Sequence, residues 1–181
     1  VIVLTDYHIS SLSSLVDTVG ESAISKHLST YRCARDSERE DYLHNKAITM
    51  EKRQMSRTYL ALGSDGNILG YFTIGMKCMH VPDETPISNS TRKKMNIDDR
   101  TGVAQSYLLG QLGRDDRSEK GFGRALLQEA LGILCRANKM VGCRLVRLDC
   151  ADELVNYYGQ TGFFFVGKNE SENLNQLAIL I

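Results

Sequence analysis

The sequence predicts an α+β fold: a mixed, mostly antiparallel sheet with one parallel crossover, flanked by helices. Three observations carry this expectation. Runs rich in β-branched and aromatic residues at 57–63 and 68–79 flank the turn Ser64-Asp65-Gly66-Asn67, which reads as a hairpin. Apolar residues then switch to helical spacing at Gly123, Leu126/Leu127, Ala130/Leu131, Leu134 and Ala137. That helix lies between the strands 103–112 and 143–149, an order that calls for parallel pairing through a right-handed crossover.

The remaining elements follow in order. Ile9, Leu12, Leu15/Val16 and Val19 have the spacing of a first helix, closed by Gly20. Ser37 and Glu40 form the S-x-x-E pattern of a capping box, opening a charged helix through Leu43, Ala47 and Met55. Residues 80–102 hold both prolines and read as a loop with a short basic helix around 88–96. Beyond the crossover come a short helix at 152–160 and strands at 162–167 and 175–181. The chain of 181 residues, 42% hydrophobic, is long enough for one substantial core, so a single domain over 1–181 is expected.

Composition excludes several classes. With 22 Lys+Arg against 22 Asp+Glu, the chain is not basic all over, and any nucleic-acid contact must come from a local patch. Five cysteines, an odd number without a CxxC pair, fit a reduced, cytoplasmic protein. No apolar run approaches the roughly 18 residues of a membrane span, so no membrane partner is expected. The histidines His8, His27, His44 and His80 stand apart and no HExxH occurs, so no metal is expected. The carboxylate pairs Asp98-Asp99 and Asp115-Asp116 read as solvated loop residues.

The most informative segment runs from Leu108 to Leu131: a strand, a polar loop, then Gly121-Phe122-Gly123 at a helix start. Glycines there let a backbone approach closely, and a helix N-terminus favours an anion such as a pyrophosphate. For an isolated G-x-G the commoner reading is that two glycines only turn a strand into a helix. The dinucleotide fingerprint fails because its third glycine would be Leu126. The near match to a phosphate loop at 162–169 fails because Asn169 replaces the hydroxyl residue and Phe163, Phe164, Phe165 and Val166 read as a strand.

Together these pieces resemble the GNAT family of acyl-CoA-dependent N-acetyltransferases over most of the chain. The pyrophosphate loop [QR]-x-x-G-x-[GA] would be Ser118, Glu119, Lys120, Gly121, Phe122 and Gly123, followed by Arg124. Ser118 stands at the usual Gln/Arg position, with Arg117 one place early. A second resemblance is Tyr158-Gly159-Gln160-Thr161-Gly162-Phe163, about 35 residues after the loop. The resemblance implies acetyl-CoA as co-substrate, a loop at 118–124 that holds its pyrophosphate, and Tyr158 as the acid that protonates the departing thiolate. Backbone groups near Leu112 and Arg114, at a bulge, would pair with pantetheine and polarise the thioester. The Asn often found after the next strand is absent, with Ala151 near its place. Read from the residues alone, Tyr158 could be a core aromatic packed on Leu154.

The resemblance implies direct acetyl transfer to an amine: a small molecule, a peptide or aminoacyl-tRNA. Residues 21–74 further resemble a GNAT subgroup that includes toxins acetylating aminoacyl-tRNA, which would add an antitoxin partner and a homodimer. Residues 46–57 carry four cations against one acid and 91–100 four against two, enough to meet phosphates or simply to solvate helix faces. A non-catalytic acyl-CoA-binding module is the alternative of another class.

Overall fold

The computed structural model describes residues 6–169 and 171–181. Nine strands and seven helices are named in chain order: β1 (Tyr7–Ser11), α1 (Leu12–Val19), α2 (Glu21–Leu28), α3 (Ser37–Asp41), a π-helical turn (Tyr42–Lys46), α4 (Ala47–Lys52), β2 (Arg57–Gly63), β3 (Ile68–Met76), β4 (Met79–His80), α5 (Asn89–Lys94), β5 (Val103–Ala104), β6 (Tyr107–Arg114), α6 (Phe122–Val141), β7 (Leu145–Cys150), α7 (Asp152–Gly159), β8 (Phe164–Asn169) and β9 (Leu174–Leu180). Seven strands hydrogen-bond in the order β1-β2-β3-β6-β7-β9-β8. β1–β2, β2–β3, β7–β9 and β8–β9 are antiparallel, whereas β6–β7 is parallel with Tyr107 opposite Val146.

The chain divides into two compact units, Val1–Gly75 with Gln111–Leu131 and Met76–Gly110 with Gly132–Ile181. In the first, the β2–β3 hairpin closes over the predicted turn, and Asp65 accepts the Asn67 N–H at 3.0 Å. Leu12, Leu28, Leu43, Leu60, Ile68 and Tyr71 are fully buried in its core, each Leu or Ile contributing about 1.5–3 kcal/mol of burial free energy. In the second unit Met79, Val81, Met95 and Ala104 pack with Leu145, Val166 and Ala178.

Five local expectations need correction. Ile9 lies in β1, and α1 begins only at Leu12 behind the Ser11 cap, whose hydroxyl accepts the Ser14 N–H. The strand expected at 103–112 is two strands, β5 and β6, and the run 68–79 likewise divides into β3 and β4. Asp36 rather than Ser37 caps α3, because Glu40 turns away to accept the Cys33 N–H at 2.8 Å. The helical region ends at Lys52, so Met55 lies beyond it and is 60% exposed.

Candidate active site

In the first unit the segment Asp115–Gly121 connects β6 to α6. Asp115, expected in solvent, is completely buried. Its Oδ1 accepts the Arg117 N–H at 2.9 Å and Nε at 2.7 Å. Its Oδ2 accepts Arg117 Nη2 at 3.0 Å and the Arg32 N–H at 2.9 Å. Burial alone would oppose ionisation, but these four donors outweigh it and hold the carboxyl below the ordinary carboxylate range. Asp116 remains exposed, with Oδ2 accepting the Ala34 N–H at 2.8 Å while its own N–H donates to the Arg32 carbonyl at 2.9 Å. The β6–α6 loop is therefore tied at several points to residues 30–34.

The predicted loop residues divide by what their side chains do. Ser118 is buried, and its hydroxyl donates to the Asp115 carbonyl at 2.7 Å. Phe122 is 2% exposed and meets Tyr7 edge-on at 5.1 Å between ring centroids. Glu119, Lys120 and Arg124 are exposed. Gly121 sits at φ +99°, a left-handed conformation that L side chains rarely adopt, and a Cβ built there meets no atom within 4 Å. The backbone thus presents an open cradle where the 20-residue α6 begins, the positive end of the helix dipole. Asp65, Asn67, Leu69, Arg117 and Phe122 line a neighbouring cavity of about 190 Å³.

Upstream in β6, the Gln111 N–H donates to the Thr73 hydroxyl at 2.8 Å. The Arg114 guanidinium donates to the Ser118 carbonyl at 2.9 Å, and the Arg114 carbonyl accepts the Tyr31 hydroxyl at 3.3 Å. Strand and phenol are so close at Gly113 that a Cβ there would lie 2.5 Å from the Tyr31 oxygen. Burial pushes the Tyr31 and Tyr71 phenols well above their usual range, so neither ionises near neutrality.

Tyr158 belongs to the second unit, in the last turn of α7. It is 6% exposed, with Tyr157 at 5.1 Å and Phe163 at 5.8 Å, both edge-on. Its carbonyl accepts the Thr161 hydroxyl at 2.7 Å and the Phe163 N–H at 3.2 Å, closing the helix into the turn at Gly162. Ala151 is the N-cap of α7 and offers no side-chain acceptor. An asparagine nevertheless stands at this junction: Asn175 of β9, 7% exposed, donates to Asp152 Oδ1 at 2.7 Å and to the Cys150 carbonyl at 3.3 Å.

The same unit holds an ion pair that the sequence reading missed. Arg147, 3% exposed, donates through Nε and Nη2 to the two oxygens of Asp149, both at 2.8 Å, and through Nη1 to the Cys78 carbonyl at 2.8 Å. The signal was present, since residues two apart in a strand share a face. Among the described residues no group of three His, Cys, Asp or Glu side chains is arranged to hold a metal, and no helix is long and apolar enough to cross a membrane.

The two basic segments differ. Lys46, Lys52 and Arg57 pair with Asp41, Glu21 and Glu51 at 3.0, 3.0 and 2.8 Å. On α5, Arg92 donates to the Pro82 and Asp83 carbonyls, whereas Lys93 and Lys94 are exposed.

No family model matches the chain. Among solved structures it is similar to AtaT complexed with acetyl-methionyl-tRNAfMet (20% identical, TM-score 0.75), over 97% of this chain and 95% of that one. It is similar also to a tyrosine-to-phenylalanine mutant of KacT (19%, TM-score 0.74), over 96% and 94%. A third is a mutant of the toxin AtaT bound to the C-terminus of the antitoxin AtaR and to acetyl-CoA (18%, TM-score 0.69), over 97% and 93%. With helices flanking a seven-stranded mixed sheet whose parallel pair brackets α6, the chain has the GNAT fold.

Proposed function

We propose that residues 1–181 act as one acetyl-CoA-dependent N-acetyltransferase domain. The observation that carries this reading is the loop at the start of α6, where Gly121 keeps an open, left-handed backbone beside a long helix N-terminus. The loop 118–124 would hold the coenzyme's pyrophosphate through main-chain amides, with Lys120 and Arg124 as exposed cations beside it. Because the side chains of Ser118 and Phe122 face inward, their part falls to their backbone. Arg114 braces the loop through its guanidinium, which leaves its N–H, with that of Leu112, for pantetheine and the thioester.

In the reaction the acceptor nitrogen attacks the thioester carbonyl and the carbonyl oxygen becomes an oxyanion. Collapse breaks the C–S bond, and Tyr158 gives its proton to the departing thiolate. A phenol of pKa about 10 facing a thiol of pKa about 8.5 is only modestly mismatched for that transfer. The nitrogen loses its extra proton to water, and the Tyr158 phenolate takes a proton back from water, which restores the acid.

The acceptor favoured is the α-amino group of aminoacyl-tRNA. It is supported by similarity over nearly the whole chain to a protein solved with acetyl-methionyl-tRNAfMet, and by exposed Lys93 and Lys94. An α-amine of pKa about 7.7–8.0 is partly neutral at physiological pH and needs little help from a base. A cytoplasmic site of action and an antitoxin partner go with this reading, the latter supported by the AtaT–AtaR complex. Incubation with labelled acetyl-CoA and separate pools of aminoacyl-tRNA, peptides and small amines tests it. Label should enter aminoacyl-tRNA; label only in small amines would move the acceptor, and none in any pool would remove the enzyme.

A further inference from the structure

Thr73 is 2% exposed in β3, and its hydroxyl oxygen accepts the Gln111 N–H at 2.8 Å. Four residues further along the chain, one residue past the end of β6, the Asp115 N–H donates to the Leu69 carbonyl at 2.9 Å. Carrying that register four residues along each strand sets Gln111 opposite Thr73, where an antiparallel ladder pairs main chain with main chain. A side chain that captures a main-chain donor competes with the ladder and marks a local departure from it.

Packing does not explain the hydroxyl, since valine has the same shape and a high strand preference. The cross-strand neighbour makes the contrast. Thr58 of β2 faces Thr73 in register and is fully buried, yet its hydroxyl has no hydrogen-bond partner among the described residues. Of two adjacent buried threonines, the one beside β6 holds an amide of β6.

Successive amides of a strand point to opposite edges, so anchoring Gln111 toward β3 turns the Leu112 N–H the other way. We propose that Thr73 is a positioning residue: its hydroxyl fixes the backbone at Gln111 so that the Leu112 N–H is held ready for the thioester carbonyl as it becomes an oxyanion. A donor fixed before charge develops needs no reorganisation during the reaction, which is where such donors gain their effect. This inference rests on the acetyltransferase reading.

The test uses the full chain with Thr73→Val, Thr73→Ser and, as control, Thr58→Val. Acetyl transfer from acetyl-CoA to aminoacyl-tRNA is followed together with backbone amide exchange at Gln111. Thr73→Val should lower kcat roughly tenfold or more while the acetyl-CoA KM stays within about threefold. It should also speed Gln111 exchange. Thr73→Ser should keep most of the rate, and Thr58→Val should behave as wild type. Should the valine variant not fold, Thr73→Ala takes its place. Wild-type kcat in the valine or alanine variant, or equal losses in the serine and valine variants, overturns the proposal. A wild-type protein without any acetyl transfer overturns the enzyme reading instead, and unchanged Gln111 exchange then overturns the anchor separately.

Discussion

The carboxylate of Asp115, with no solvent exposure, binds the guanidinium of Arg117 two residues later through both oxygens, at 2.7 and 3.0 Å, and so shapes the turn that leads into α6. Arg117 stands one place before Ser118, the residue at the Gln/Arg position of the pyrophosphate loop. Its half-exposed guanidinium also donates to the Thr30 carbonyl at 3.2 Å, so it ties the loop to residue 30.

Replacing Asp115 by Asn keeps the volume but removes the charge that gathers four donors. Hydrogen bonds to charged groups are worth about 1.5–3 kcal/mol, and the half-exposed partner places the cost near the lower figure, about 2 kcal/mol. For a chain of this length that is a Tm lower by roughly 4–8 °C. Calorimetry of the two proteins checks it; an unchanged Tm would mean that the buried carboxylate does not stabilise the loop.

The same residue sets a pH dependence. Its folded-state pKa lies below the unfolded value, so its contribution is fully present above about pH 5. It fades as the pH falls through the unfolded pKa of about 3.9 and is lost once the folded pKa is passed. The Tm gap between wild type and Asp115→Asn should therefore be constant from pH 7 to 5 and narrow toward pH 3. A gap that widens in acid would contradict the assignment.

Asp115 also shows where the sequence stops being legible. Its burial depends on the Arg32 amide, 83 positions upstream, and no local pattern announces that. The hairpin at 57–76 and the strand-helix-strand order around α6 were legible because their signals are local: alternation, a turn sequence, helical periodicity. β1 was not, because Ile9 in the strand and Leu12, Val16 and Val19 in the helix fall by chance on one helical spacing. The capping box misled for a physical reason, as Glu40 accepts the Cys33 N–H and Asp36, one residue before Ser37, caps the helix. The glycine loop could be read from sequence, but not that Ser118 turns inward or that Thr73 takes an amide of β6.

Coenzyme binding should depend on the bare backbone at the start of α6. Acetyl-CoA at about 100 times its Kd should add roughly 2.7 kcal/mol of stability to wild type. Gly123→Val should remove that shift without unfolding the protein, because a branched side chain blocks the approach of phosphates. Thermal melts with and without acetyl-CoA decide it, an undiminished shift in the variant counting against the loop.

The two basic segments should separate in their salt response. Neutralising Lys93 and Lys94 to Gln should flatten the log–log salt plot for tRNA binding by roughly one slope unit per lysine that meets a phosphate. Neutralising Lys46 and Lys52, already paired with Asp41 and Glu21, should change it less. Filter binding across a salt series measures both; equal slopes in the three proteins would remove α5 from the tRNA surface.

The proposed acetyl transfer turns on the Tyr158 hydroxyl, and single-turnover acetylation of aminoacyl-tRNA by Tyr158→Phe is the decisive measurement of that role. The substitution keeps the ring against Tyr157 and Phe163, so the fold and acetyl-CoA affinity should change little. Loss of a general acid should slow the chemical step by about 10²- to 10⁴-fold, with Tyr157→Phe near wild type. A near-normal rate in Tyr158→Phe, or a loss carried by Tyr157→Phe instead, would contradict it.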